Sequence, residues 1–148
     1  MSDIDYTANL SGSLRLSSNG IWIHEGEPFQ NEKLAKLFHR SIVWDAKENR
    51  FYLQIGRQRA AFSWEDTVYF VTSVDLSGDP VITLADETQE TLNLSSMICG
   101  SDGSIYCTLR SGHRAKFLRN SHQQLIRHAV DDRRLFINGI VVNLLKEA

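Results

Sequence analysis

Five basic side chains, Arg110, His113, Arg114, Lys116 and Arg119, fall within one ten-residue stretch. Arginine presents a planar fork of donors that matches phosphate or carboxylate. Ser121, with Gln124 three residues later, reads as a capping box, so the stretch leads into a helix whose free N–H groups and dipole would also favour an anion. The sequence therefore predicts an anion site here. The competing reading is a solvated face that balances acidic residues elsewhere. Arg57 and Arg59, far upstream, would join the same site if two lobes met there. Trp22 and His24 share one face of a strand and could supply a flat surface and a ligand contact. No nucleophile elbow, phosphate-binding P-loop or Gly-x-Gly-x-x-Gly accompanies these residues.

Catalysis has weaker support. His24 and Glu25 are adjacent, and on a strand adjacent side chains point to opposite faces, so they make no simple acid–base pair. A hydrolase would need His24 to meet Glu65 or Asp66, yet an acidic pair in a bend between strands more often satisfies backbone N–H groups. His122 and His128 lie six apart and would diverge by about 120° on a helix. Cys99 and Cys107 have no C-x-x-C partner, and Gly100–Ser104 lacks the acidic spacing of a calcium loop. No catalytic residue, metal or cofactor is expected.

Composition narrows the partners. The 148 residues carry a net charge of −2, unevenly placed. Residues 1–59 hold 8 basic and 7 acidic side chains, residues 60–109 none and 8, and residues 110–148 8 and 3. Segments so separated either face each other in the fold or show distinct surfaces. The acidic middle would repel phosphates, so nucleic acid is not expected as a partner. No apolar run approaches the length of a membrane span, and the polar start does not resemble a secretory signal. The expectation is a soluble, cytoplasmic protein without membrane contact.

The elements that must position these residues follow from periodicity. Residues 1–11 read as a loose arm. Leu14–Leu16 and Ile21–His24 alternate around Asn19-Gly20, a tight-hairpin signal, with Gly26 and Pro28 ending the strand. Asn31 is placed to cap a helix, whose apolar stripe is Leu34, Leu37, Phe38 and Ile42. Strands follow at Phe51–Ile55, Ala60–Trp64, Val68–Leu76, Val81–Ala85 and Thr91–Leu94. Ile105–Arg110 is a further strand with Cys107 as a small core residue, and a second helix buries Leu125, Ile126, Ala129 and Val130. Asn138-Gly139 joins the last hairpin. The predicted fold is α+β, with residues 12–64 and 65–148 as two related lobes, each an antiparallel sheet with one main helix.

An internal echo supports the two lobes. Trp22, Gly26, Phe29, Asn31 and Gly56 correspond in order to Tyr106, Gly112, Phe117, Asn120 and Gly139, with spacings that differ by a few residues. The run Trp22-x-His24-x-Gly26-x-Pro28-Phe29, then Leu34, Leu37 and Phe38, resembles the opening signature of a bacterial family, domain of unknown function 1285. Tyr52-Leu53, Arg59, Glu65-Asp66 and Tyr69 resemble its second block. Tyr106, Arg110, Ala115, Arg119 and Leu125 resemble its third, and Phe136–Gly139 its closing hairpin. The sequence departs from the family at Ile55-Gly56-Arg57-Gln58-Arg59, where Thr-Pro-Val-Glu-Lys is usual, and at Thr67-Val68, where Ala-Pro is usual. The resemblance implies duplicated domains, a C-terminal one like a pleckstrin-homology fold, a ligand site at their junction for a nucleotide-like molecule, and a role in signalling.

These observations converge on a non-enzymatic ligand-sensing or regulatory protein. Its partner would be a nucleotide-like or other anionic small molecule held between the lobes by Trp22, His24, Arg57, Arg59, Arg110, His113, Arg114 and Arg119. A protein-interaction module that uses a strand edge or aromatic patch for a protein partner is the alternative. The hydrolase built on His24 ranks third.

Overall fold

A computed structural model describes residues 13–146; the expected arm at 1–11 lies outside the described residues. The chain divides into two compact units, with the boundary between Val68 and Tyr69. The fold is mixed α and β and mostly sheet, with two α-helices among the described residues.

In the first unit, β1 (Leu14–Leu16) and β2 (Trp22–His24) pair antiparallel, Leu16 opposite Trp22. The loop between them spans Ser17–Ile21 and is longer than the predicted two-residue turn, with Gly20 in the left-handed region. Gly26 does not end the sheet as expected. Glu25 and Gly26, at φ 51° and 82°, reverse the chain into β3 (Glu27–Pro28), which pairs with β2. Proline is tolerated there because β3 is an edge strand.

Helix α1 (Glu32–Arg40) starts as predicted: the Asn31 side chain accepts hydrogen bonds from the backbone N–H groups of Lys33 and Leu34, at 3.0 and 3.2 Å. It is shorter than the apolar stripe implied. Ser41 closes it by donating to the Leu37 carbonyl at 2.6 Å, and Ile42 opens β4 (Ile42–Asp45) instead. Strands β5 (Arg50–Ile55) and β6 (Gln58–Ala61) complete a sheet in the order β4-β5-β6. The expected strand Ala60–Trp64 is split at buried Phe62, after which β7 (Ser63–Trp64) joins the other sheet, β3-β2-β1-β7, parallel to β1. Aromatic edges fill the space beneath: Trp22 lies 5.5 Å from Phe38 and 5.1 Å from Phe62, and Phe29 5.2 Å from Phe38, centroid to centroid. Such edge-to-face pairs contribute beyond their buried area.

In the second unit, β8 (Tyr69–Asp75), β9 (Val81–Leu84) and β10 (Gln89–Thr91) form a meander. Leu94, read from sequence as strand, begins a short 3-10 turn. Then come β11 (Ile98–Cys99), β12 (Ile105–Thr108), β13 (Arg114–Phe117), helix α2 (Arg119–Ile126), β14 (Arg134–Ile137), β15 (Ile140–Asn143) and β16 (Leu145–Lys146). The main sheet runs β10-β9-β8-β13-β12-β11-β16. Parallel pairs (β13 with β8, β11 with β16, and β1 with β7 in the first unit) replace the wholly antiparallel sheets expected.

Strand β13 was not foreseen, so the basic residues placed at a helix start lie mostly on a β-hairpin. The capping box also fails to form, since Leu118 is the N-cap and makes no side-chain cap bond. Helix α2 ends at Ile126, leaving Ile126, Ala129 and Val130 exposed where burial was predicted. Its polar side chains face β8 instead. The register of β8 on β9 shifts between Val71 and Ser73, and at this bulge Ser121 Oγ lies 2.7 Å from the Val71 carbonyl, Asn120 donates to the Thr72 carbonyl at 3.2 Å, and Gln124 Oε1 accepts the Val74 N–H at 2.8 Å.

The two units share a connection pattern. In the first, β3-β2-β1-β7 is one sheet, with α1 following β3 and β1 parallel to β7; in the second, β13-β12-β11-β16 is the corresponding run, with α2 following β13 and β11 parallel to β16. An antiparallel hairpin follows the helix in both, β5–β6 and β14–β15. The second unit extends this run with β8, β9 and β10.

The β14–β15 turn matches the sequence reading, with Asn138 and Gly139 at φ 50° and 77°. A Cβ at Gly139 would meet nothing within 4 Å, so a substitution there incurs backbone strain alone. Gly139→Val should therefore lower stability by about 1–3 kcal/mol, whereas Gly78→Ala, at ordinary φ and equally open, should change it little in the same thermal melt. Gln124→Ala should cost about 1–3 kcal/mol, because the N–H of buried Val74 loses its acceptor; urea unfolding would measure it.

Candidate functional site

Of the predicted basic residues of the second unit, Arg110, His113, Arg114 and Lys116 lie on the β12–β13 hairpin. Its turn is held by the Leu109 N–H donating to the His113 carbonyl at 2.9 Å and Gly112 N–H to the Leu109 carbonyl at 2.8 Å. Gly112 is at φ 89°, which a β-branched residue could not adopt without strain. The Arg110 backbone N–H donates to Glu90 Oε2 at 2.8 Å. The Arg110 side chain is 81% exposed and its Nε is 3.9 Å from a Glu90 oxygen that is itself mostly covered. One residue of the acidic middle third thus meets one of the basic end, as charge complementarity within the fold predicts, but only loosely.

Two of these side chains lie against aromatic rings. His113 lies 5.8 Å from Tyr69, tilted by 33°. The Arg114 guanidinium sits 5.1 Å from the centre of the Tyr106 ring, a geometry in which the ring face attracts the cation. Burial and the nearby Asp86 raise the Tyr69 phenol above its ordinary range. Arg119 is exposed in the first turn of α2. Tyr69 and Glu90 were not singled out as site residues. Glu90 stands twenty positions from Arg110, and nothing in local periodicity links the two.

In the first unit the predicted residues do different work. Trp22 is 1% exposed and packs on Phe38, His39 and Phe62, because the face it shares with His24 is the one that carries buried Leu14 and Leu16. Two nitrogens on that face, Trp22 Nε1 and His24 Nε2, are buried with no hydrogen-bond partner among the described residues. Arg59 is engaged: it donates to Asp45 Oδ2 at 2.8 Å and Gln54 Oε1 at 3.1 Å, and lies 4.9 Å from the Tyr52 ring centre. Hydrogen bonds from the Glu48 N–H and from Arg59 hold the Asp45 carboxyl below the usual range. Arg57 is exposed in the turn after Gly56.

The acid–base pairing of His24 with Glu65 is opposed by topology. His24 pairs with Leu14 on one side of β1, whereas Glu65 follows Trp64, which pairs with Leu16 on the other side. Two strand spacings of about 4.8 Å and about three residues of rise separate them. The Glu65 carboxylate is occupied by Arg15 and by the Ser18 N–H. Among the described residues no group of three His, Cys, Asp or Glu side chains could hold a metal, and no helix is long and apolar enough to cross a membrane.

No family model and no curated protein matches the sequence. Among solved structures, a DUF1285 family protein from Silicibacter pomeroyi DSS-3 superposes with a TM-score of 0.65 at 19% identity, covering 98% of this chain and 90% of that one. A DUF1285 family protein from Shewanella baltica OS155 gives a TM-score of 0.59 at 17% identity, covering 77% and 90%. The chain therefore has the fold of that family, in agreement with the resemblance of its sequence blocks.

The two cysteines differ in chemistry. Cys107, on the core face of β12, is 1% exposed, and burial, with Glu90 adding to it, pushes its thiol up to about 12. Cys99 is half-buried. A thiol reagent at pH 8 should modify Cys99 alone until the protein is unfolded. Because the folded thiol titrates above the unfolded one, Cys107 contributes stability fully present below about pH 9 and lost as pH rises toward about 12. Cys107→Ala should flatten that part of the stability–pH profile; an unchanged slope would contradict the assignment.

Proposed function

We propose that this protein is a non-enzymatic ligand-sensing or regulatory protein that binds a small anion with a flat, nucleotide-like portion at the β12–β13 hairpin. The observation that carries the proposal is the Arg110 side chain, 81% exposed on a backbone pinned by Glu90. An ion pair this exposed contributes about 0–1 kcal/mol, so phosphate or carboxylate can displace the Glu90 contact at small cost. Arg114, held over the Tyr106 ring, is a further cation of the same hairpin, and His113 lies beside Tyr69 on its other face, so a flat portion of the ligand would extend from Arg110 toward one of these two rings. Arg119 and Arg57 are also exposed, whereas Trp22 and Arg59 support packing and sheet pairing in their own unit.

The shared connection pattern supports reading the two units as related copies, and the sequence resemblance supports a pleckstrin-homology-like second copy. A second reading, a protein-interaction module, is favoured by the β14–β15 hairpin, where Phe136, Ile140 and Val141 are each about half exposed.

The proposal is tested by thermal shift against nucleotides, sugar phosphates and dicarboxylates. A true ligand at about 100 times its Kd should stabilise the protein by roughly 2.7 kcal/mol. Arg110→Ala should abolish the shift while leaving the ligand-free melting temperature within a degree or two. A panel with no shift, or a shift retained in Arg110→Ala, would overturn the assignment.

A further inference from the structure

A cleft of about 380 Å³ opens in the second unit beside the end of α2, within the range of small-molecule sites. None of the hairpin cations lines it. Ile105, Leu135 and Leu144 line its apolar part, and all three are buried core residues, so that wall is rigid. Ile126, the last residue of α2, adds a large apolar side chain that is 47% exposed. One side is the Gly100–Gly103 turn, tied to α2 by His122 Nε2, 3.0 Å from the Gly103 carbonyl.

The charged lining is unequally satisfied. Asp131 is fully engaged, accepting from the Arg133 N–H at 3.0 Å and pairing with Arg134 at 2.7 Å. Arg133 and Lys146 also line the cleft, and neither side chain has a carboxylate partner among the described residues. Asp132 is the single unpaired acid in the lining, which leaves an excess of one positive charge. An apolar floor, an exposed isoleucine and two lining cations without carboxylate partners among the described residues define complementary requirements. The occupant must carry an apolar body and one anionic group.

We infer that this cleft is a binding site for an amphiphilic monocarboxylate, its chain laid over Ile126 and Leu135 and its carboxylate held by Arg133 and Lys146. The site is separate from the hairpin and does not depend on the function proposed for it. Arginine can take both carboxylate oxygens at once, and covering Ile126 removes apolar surface from water.

Decanoate below its micellar concentration is the probe, followed by calorimetry and thermal shift on the full chain, with decanol and decyltrimethylammonium as controls. Decanoate should bind saturably and the controls at least tenfold more weakly. The double substitution Arg133→Ala, Lys146→Ala should reduce affinity at least tenfold, and Arg110→Ala should leave it unchanged. Since Cys99 lines the same cleft, bound decanoate should slow its alkylation, a readout independent of melting. Equal binding of decanol, retention of affinity in the double variant, loss of it in Arg110→Ala, or unchanged Cys99 reactivity would each overturn the proposal.

Discussion

The docking of α2 on the β8 bulge is the interaction on which the second unit depends. A bulge in a central strand leaves backbone groups without ladder partners, and unpaired buried amides are costly. Here the neighbouring helix supplies the partners through Asn120, Ser121 and Gln124. Leu125, fully buried among the core residues, fixes the helix at the depth this requires. With α2 set, β13 is held parallel to β8, and the Leu118 N–H donates to the Val71 carbonyl at 2.9 Å, where strand passes into helix. The hairpin that carries Arg110 and His113 and the cleft beside Ile126 therefore hang on opposite ends of one anchored β13–α2 segment.

That anchoring explains a misreading of the sequence. Ser121 and Gln124 have the spacing of a capping box, and local rules place a helix start there. The same two polar side chains satisfy β8, fifty residues away in both cases. A short polar side chain next to a helix start has two ways to be satisfied, and only the tertiary partner decides between them. Strand β13 was missed for a related reason. Four residues with three polar or small side chains give no alternation strong enough to read, and the strand exists because β8 and β12 pair with it from both sides.

Features governed by neighbours in the chain were legible. Asn31 caps α1 through its own side chain, and Asn138-Gly139 adopts the positive φ angles its composition favours. Cys107 sits in the core as its alternation with Tyr106 and Thr108 implied. The face of β2 was harder to judge. Parity correctly set Trp22 with His24, but parity does not say which face is wet, and pairing with Leu14 and Leu16 turned the conspicuous residues inward. The candidate site was legible as a list of cations and not as an arrangement, because Tyr69 reaches it through the pairing of β8 with β13 and Glu90 through a side-chain hydrogen bond from edge strand β10.

Charge segregation along the chain acquires a physical meaning from these placements. The acidic middle third contributes Glu90 beneath Arg110, so part of the complementarity is internal. It does not use up the basic end. Arg133 and Lys146 lie beside the cleft without acidic partners among the described residues, and of the two lining acids Asp131 is committed to Arg134. If the basic segment served only to neutralise the acidic one, its cations would be found against carboxylates, since opposite charges brought within a few ångströms are stabilised most where solvent is partly excluded. Instead Arg110, with its loose Glu90 contact, stands on a turn, and Arg133 and Lys146 stand beside a cleft that also has apolar lining. Uncompensated positive charge next to apolar surface favours ligands that combine the complementary features. The anion binding proposed above rests on this juxtaposition and not on charge balance.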